Sequence, residues 1–292
     1  DYLISLPALQ LIKKKYPSYK IFYLSSRNEN APLLPKQIEK KKFVDEFIYF
    51  NNNFYDLFKL FKYLRKQKFQ KLYYIQEKST LAREIRDYFF FRLSGIVKLY
   101  GFFNKKKNYS KFSETLQITK RIDQNINQLK LNQLTTIKSK GDKPIFNYKY
   151  ITISIGGFSQ PILWKIQNWG ILTNLICKNL KYKIIILGTN KDLNYCNFLL
   201  KQNKICYYPL CGKTNINQLF NIIKYSKFHI TNDNGSMHVA SLYSKKTLCL
   251  FNNHDPIGKW YPVNKNSIVI RPKKGVNTIS PYFVFSKIKN LL

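Results

Sequence analysis

Acidic residues are scarce in this sequence: 15 Asp and Glu stand against 50 Lys and Arg in 292 residues, a formal net charge of +35. That charge attracts polyanions of any kind, whether lipid headgroups, nucleic acid or nucleotide phosphate. The chain is also crowded with Lys, Asn, Ile, Tyr and Phe, a bias that AT-rich coding produces whatever the function. Charge alone therefore does not choose a partner. Long apolar runs are missing: none approaches the roughly 20 residues a membrane-spanning helix needs. Cysteine is sparse. Cys177, Cys196, Cys206, Cys211 and Cys249 all lie in the second half, without a CxxC pair and in odd number. Free, packed thiols in a reducing compartment are expected, and a zinc site is not. No DxD motif and no His/carboxylate cluster at ligand spacing is present, so metal-independent chemistry is expected. No helix-turn-helix, zinc finger or aromatic RNA-binding signature accompanies the charge, and no nucleic-acid partner is expected. No secretory signal peptide is visible. The only methionine is Met237, so residue 1 does not read as an initiator, and the chain is expected to lack its true start.

What is present suits two globular domains. At 45% hydrophobic and 16% aromatic, the chain can bury two cores of roughly 150 residues each. Helical spacing runs through residues 6–16, then Phe54, Leu57, Phe58 and Phe61, then Leu81, Ile85, Tyr88 and Phe89. Strand-like runs lie between them at Tyr19–Leu24, Glu46–Phe50, Lys71–Ile75 and Ile96–Tyr100. A polar stretch and a Lys/Gly/Pro segment at 138–144 place the domain boundary near residue 145, giving domains 1–145 and 146–292. Beyond it the alternation resumes, with strands at Ile151–Ile155, Lys183–Leu187, Phe228–Thr231, Thr247–Phe251 and Ile268–Ile270. Helices fall at about 167–180, 190–202, 215–226 and 236–244. Strand–helix alternation of this kind predicts parallel sheets in both halves.

Three strand-to-loop junctions in the second half carry the polar chemistry. After Phe228–Thr231 comes Asn232-Asp233-Asn234-Gly235, and a helix starts near Ser236. Free N–H groups and the helix dipole make such a start an anion site, with His238 in its first turn. The same residues also suit a simple N-cap, with His238 packed locally. After Ile151–Ile155 come Gly156 and Gly157, then Ser159 and Trp164. Paired glycines suit close approach to a ligand, or a plain tight turn. The third junction is Phe251-Asn252-Asn253-His254-Asp255, leading to Trp260. Gly212-Lys213-Thr214 is not a phosphate loop, because the earlier glycine that motif requires would fall at Tyr207.

These residues resemble glycosyltransferase family nine, the lipopolysaccharide heptosyltransferases. The family's T-N-D-S/T-G-P-M-H segment is matched by Thr231–His238, with Asn234 and Ser236 as departures. Its F-G-P-T-D-P-x-x-W-x-P element is matched by Phe251, Asp255, Pro256, Trp260 and Pro262, and its L-x-G-K-T lead-in by Leu210, Gly212, Lys213 and Thr214. Pro7, Ala8 and Leu9 follow Asp1 at the family's spacing, and residues 42–48 resemble its V-D-E strand. The likeness runs the length of the chain in order.

The resemblance implies the GT-B architecture, two Rossmann-like parallel-sheet domains facing across a cleft, with the acceptor on the first and the sugar nucleotide on the second. It implies inverting transfer from ADP-heptose to the lipopolysaccharide inner core, a lipid A-type acceptor. Asp1 stands where the family has its general base. Gly157, Ser159, Asp233, Asn234, Gly235 and His238 would hold the donor, with Asp192 on its ribose or sugar hydroxyls; Asp192 equally suits an exposed helix start. Where the family carries a lysine facing the diphosphate, alignment on Trp164 gives Ile162; Lys165 or Lys213 would substitute, Lys165 by its adjacency. No metal or other cofactor is implied. A lipid-linked acceptor implies peripheral, electrostatic work at the cytoplasmic membrane's inner face, with Arg83, Arg86, Phe89–Phe91 and Lys105–Lys107 as headgroup contacts; a core role for the Phe run remains open. A different sugar nucleotide on the same fold, or a non-catalytic basic binding protein, stays open too.

Overall fold

The structure, a computed structural model, describes residues 2–26, 43–76, 80–103, 113–127, 130–131, 134, 143–157, 163–202 and 206–290. The chain divides into two compact units, Asp1–Leu134 and Thr135–Leu292.

The first unit contains helix α1 (Tyr2–Lys15), strands β1 (Phe22–Ser26) and β2 (Glu46–Phe50), helix α2 (Phe54–Gln67), strand β3 (Lys71–Tyr73), helix α3 (Leu81–Leu93), strand β4 (Lys98–Tyr100) and helix α4 (Glu114–Lys120). β1 pairs with β2 and β3 with β4, both in parallel. Helix α2 starts where Asn53 caps the Asp56 N–H at 2.8 Å, and α3 where Thr80 Oγ1 accepts from Arg83 N–H at 3.3 Å. Both helices meet the core on narrower faces than their apolar content suggests. On α2 the buried side chains are Leu60 and Leu64, which join Tyr74, Phe91 and Ile96, while Phe54 and Phe58 face water. On α3 the buried residue is Phe91, and Leu81, Ile85 and Phe89 are exposed. So the Phe89–Phe91 run divides, with Phe89 outward and Phe91 in the core. Lys105–Lys107 lie outside the described residues.

The second unit is built on one six-stranded, wholly parallel sheet. Its members are β5 (Tyr150–Ser154), β6 (Lys183–Leu187), β7 (Tyr207–Pro209), β8 (His229–Asn232), β9 (Thr247–Leu250) and β10 (Ser267–Ile270), in the order β10-β9-β8-β5-β6-β7. Helices α5 (Ile166–Leu180), α6 (Leu193–Gln202), α7 (Ile216–Tyr225), α8 (Gly235–Leu242) and α9 (Pro281–Lys289) connect and follow the strands. All five residues of β5 are buried, as expected for a strand covered on both faces. Its Ile151 and Ile153 pack with Ile184, Ile186, Ile230 and Leu248 beneath Trp169 and Leu172 of α5. The strand order carries a functional consequence: the chain leaves β5 toward β6 and β7, then returns to its other side for β8, β9 and β10. The reversal lies between β5 and β8, and in open α/β sheets ligands bind outside the carboxyl ends of the strands at such a point.

One cysteine expectation is corrected. Cys177 of α5 and Cys206, just before β7, form a disulfide with Cα atoms 6.1 Å apart. The sequence separation hid the pair: both residues reach β6 from different elements, α5 ending just before that strand and Cys206 O accepting from Ile184 N–H at 2.9 Å. Cys196, Cys211 and Cys249 are free and buried.

Candidate functional site

At the carboxyl ends of β5, β6, β8 and β9 the sequence places a glycine pair, a short 3₁₀ turn, a helix start and a long polar loop. Side-chain amides join the first to the third. Asn232, the last residue of β8, donates from Nδ2 to Ile155 O at 2.7 Å and accepts on Oδ1 from Trp164 N–H at 3.4 Å. It thereby fastens both flanks of the loop between β5 and α5. Asn234 donates from Nδ2 to Gly156 O at 2.7 Å and to Ser154 Oγ at 3.2 Å. The same side chain caps α8, its Oδ1 accepting from Ser236 N–H at 2.9 Å. Asn234 therefore sets the glycine turn and the helix start in one geometry.

The glycines are required by what surrounds them. A Cβ on Gly156 would lie 2.5 Å from both carboxylate oxygens of Asp192, and one on Gly157 would lie 2.5 Å from Leu163 Cδ2 and 3.8 Å from Asp233 O. Asp192, Gly157 and Asp233 thus meet around one turn. Asp192 is 8% exposed, not a solvated helix-start residue. Its Oδ2 accepts from Thr189 N–H at 2.7 Å and Thr189 Oγ1 at 2.8 Å, which fixes the carboxylate, while Oδ1 accepts nothing from the described residues.

Asp233 follows β8 directly. Burial, reinforced by the charge of Asp255 and opposed by Lys259, pushes its carboxyl up to about 7. At neutral pH it is divided between a donor and an acceptor form, able to donate to a phosphate oxygen or accept from a sugar hydroxyl. Gly235 is exposed at the first position of α8, and a Cβ there would meet nothing within 4 Å. The glycine therefore leaves open space above the helix start, where a phosphate is favoured. His238 lies on the first turn, half-buried, and burial holds its imidazole below the ordinary range, so it is neutral and brings hydrogen bonding without charge.

The cationic side is less concentrated. Lys165 is exposed at the N-cap position of α5, its backbone N–H bonded to Asn277 Oδ1 at 2.8 Å. The loop after β9 supplies a lysine that sequence reasoning passed over. Lys259 lies 3.9 Å from Asp255 and 4.4 Å above the Trp260 ring, and its charge reaches Asp233. Asp255 also meets His254 at 3.0 Å. Its i,i+4 spacing to Lys259 was the available signal. Asp1, Ser159 and Ile162 lie outside the described residues. Among the described residues no group of three or more His, Cys, Asp or Glu side chains could hold a metal ion.

A lipooligosaccharide heptosyltransferase 2 of Campylobacter jejuni is 36% identical over 74 residues, 24% of this chain and 23% of the relative. The match thus spans about a quarter of the curated relative's length. Solved structures match over nearly the whole chain. The Escherichia coli ADP-heptose LPS heptosyltransferase II aligns with a TM-score of 0.70 at 18% identity, covering 99% of this chain and 94% of that one. A glycosyl transferase family 9 protein of Veillonella parvula gives 0.74 at 16% identity, covering 99% and 92%. The E. coli heptosyltransferase WaaC with ADP gives 0.73 at 13%, covering 99% and 96%. These likenesses establish the GT-B fold. The family model for glycosyltransferase family 9 (heptosyltransferase) matches residues 100–278, so the chain belongs to that family.

Proposed function

We propose that the protein is an inverting glycosyltransferase that moves heptose from ADP-heptose onto the inner core of lipopolysaccharide, on a lipid A-type acceptor. The observation that carries this reading is the junction at the β5/β8 reversal. There Gly156 and Gly157 lie against the Asp192 carboxylate and Asp233, Asn234 ties their turn to the open start of α8, and Thr231–His238 resemble the family's T-N-D-S/T-G-P-M-H segment. Two of the similar structures are named for ADP-heptose or hold ADP, which supports that donor here.

In this reading the diphosphate lies over Gly235 at the start of α8, with Lys165 or Lys259 offsetting its charge, and Asp192 and Asp233 take the ribose or sugar hydroxyls. The acceptor hydroxyl attacks the anomeric carbon as the bond from that carbon to the β-phosphate oxygen breaks. ADP leaves from the opposite face, and Asp1 takes the hydroxyl proton. Negative charge grows on the leaving phosphate, where the helix N–H groups stabilise it. No covalent intermediate arises, and no step calls on a metal ion. The work is done at the inner face of the cytoplasmic membrane, where such an acceptor is found, with anionic lipid as the neighbouring surface and no nucleic acid.

Calorimetry with ADP-heptose, ADP, and UDP- and GDP-sugars tests the reading. Selective binding of ADP-heptose at micromolar concentration is expected, with turnover on a lipid A-type acceptor abolished in Asp1→Asn. Preference for a uridine or guanosine donor would keep the fold and discard the heptose. Absence of binding by the folded chain would leave a non-catalytic relative.

A further inference from the structure

Helix α3 turns its apolar stripe away from its own core. Leu81, Ile85, Phe89 and Leu93 recur every fourth residue and so form one face, and each is between 41% and 67% exposed. Val97, just past the helix, extends the exposed apolar surface. The opposite face holds the helix to the unit through Phe91, and Phe90 turns sideways onto Phe61 of α2, ring centroids 6.1 Å apart.

Charge on α3 is sorted in the same way. Its two acids make bonds off the helix: Glu84 accepts from Phe103 N–H at 3.0 Å, and Asp87 accepts from Tyr74 O–H at 2.9 Å as well as from Arg86. Arg83 is exposed beside the stripe; Arg92 is exposed too and donates to Val97 O at 2.7 Å, and Arg86 is exposed and donates from Nε and Nη2 to Asp87 Oδ1 at 2.9 and 2.6 Å. The outward half of the helix thus presents large apolar side chains and guanidinium groups together.

We propose that this face of α3 docks in the plane of an anionic lipid surface. The four apolar side chains enter the boundary between headgroups and acyl chains, and the arginines bind lipid phosphate oxygens, which their planar forks suit. Two observations select lipid over other occupants. Exposed apolar side chains and arginines share one helix, which suits a surface that offers an acyl interior beside anionic headgroups. A second copy docked through the same face would set these arginines against their own counterparts, a repulsive arrangement. The docking face rests on the membrane-facing part of the proposed function and is independent of the sugar transferred.

Flotation with phosphatidylcholine vesicles, with and without phosphatidylglycerol, tests it on the whole chain. The parent is expected to float with the anionic vesicles and to bind them more weakly, though not to vanish, in high salt. Losing two inserted side chains in Ile85→Ser/Phe89→Ser should cut binding by roughly tenfold or more. Arg83→Ala/Arg86→Ala should weaken binding and flatten its salt dependence. Phe89→Trp should shift its emission to the blue on anionic vesicles. Parent-like binding by Ile85→Ser/Phe89→Ser, or a dimer that this variant dissociates with vesicle binding unchanged, overturns the proposal. Calorimetric donor binding by the same variants reports that they are folded. A chain that binds donor but no vesicles overturns the docking face alone, and one that binds vesicles but no sugar nucleotide overturns the enzymatic reading alone.

Discussion

His229 Nε2 lies 2.9 Å from Ser236 Oγ, and that contact ties the start of β8 to the start of α8. Ser236 Oγ donates to Asn234 Oδ1 at 2.6 Å, and on the other side of the ring His229 Nδ1 lies 2.9 Å from Thr152 Oγ1, which itself donates to Phe228 O at 3.3 Å. Asn234 passes the chain on to Gly156 O at 2.7 Å. A continuous series of contacts thus runs from β5 through β8 and α8 back to the turn after β5. Ser236 and Asn234, the two departures from the family motif, are both members of it, and each supplies a polar group the series uses.

His229→Leu breaks this series at its centre and takes one partner from each of two buried hydroxyls, Thr152 and Ser236. Stability should fall by about 1–3 kcal/mol. The donor KM should rise more than kcat falls, because α8 and the glycine turn lose their common tether. Thermal unfolding and steady-state kinetics on the variant check both; an unchanged KM would show that the series serves the core alone.

The same histidine gives the fold an acid sensitivity. Burial lowers its pKa from 6.5 to about 3, so the folded protein keeps it neutral where the unfolded chain protonates it. Its contribution to stability is therefore intact above 6.5 and is lost as pH falls from there toward 3, on the order of 5 kcal/mol across the window. Urea unfolding of the parent and His229→Gln at pH 7 and pH 4.5 should show a steeper loss in the parent. Equal slopes would place the acid sensitivity elsewhere.

Asp233 works in the opposite sense. Its carboxyl is raised from 3.8 to about 7, so the folded state holds a proton the unfolded state has released. Folding stability from this group declines as pH rises from about 4 through 7. A diphosphate bound beside it favours the protonated form, so ADP affinity should fall as pH rises through 7, with proton uptake on binding. Calorimetry at pH 6 and 8, in two buffers of different ionisation enthalpy, measures this. Asp233→Asn should flatten the profile and unfold less readily at pH 8. Affinity that rises with pH in the parent would instead mean that the carboxylate accepts sugar hydroxyls.

Much of this could be read before any coordinates. Five of the six strands of the second unit are short apolar runs, such as Lys183–Leu187, and lie where the pattern puts them; β7, the three residues Tyr207–Pro209, is too short and polar-flanked to show in the pattern. Thr231–His238 read as a strand end, turn and helix start because each residue type there has a local reason to be present. What stayed hidden depends on distant partners. Nothing near Leu81, Ile85 and Phe89 reveals which side of the helix faces the core, since α3 has apolar residues on both. Cys177 and Cys206 are 29 residues apart. His229 looks like any strand residue until Thr152 and Ser236 close around it, and Lys259 matters only because the β9 loop brings it toward Asp233.

Lys165 and Lys259 compete for the charge that Ile162 does not supply. A charge-assisted bond to phosphate is worth about 1.5–3 kcal/mol, so losing the true partner should weaken ADP binding roughly ten- to hundredfold. Lys165→Ala is expected to show that loss, because its side chain is exposed and pairs with no acid among the described residues, whereas Lys259 already neutralises Asp255 at 3.9 Å. Calorimetric titration of both alanine variants with ADP decides between them. If Lys165→Ala binds as the parent does and Lys259→Ala does not, the β9 loop holds the diphosphate.

Gly156→Ala tests the site by shape rather than charge. The added methyl group would sit 2.5 Å from both Asp192 oxygens, too close for either to stay. Asp192 is held by two Thr189 bonds, so the turn must move instead, and Asn234 is bonded to that turn. The displacement reaches the start of α8 with no charge altered. ADP affinity should drop by at least tenfold, the scale of a lost hydrogen bond to a charged group, while stability falls by about 1–3 kcal/mol. Gly156→Ala/Asp192→Ala removes the clash and should recover stability more fully than affinity, because the second change also deletes a carboxylate assigned to the donor's hydroxyls. Measured together by thermal unfolding and calorimetry, full recovery of both would show that Asp192 shapes the turn and does not touch the donor.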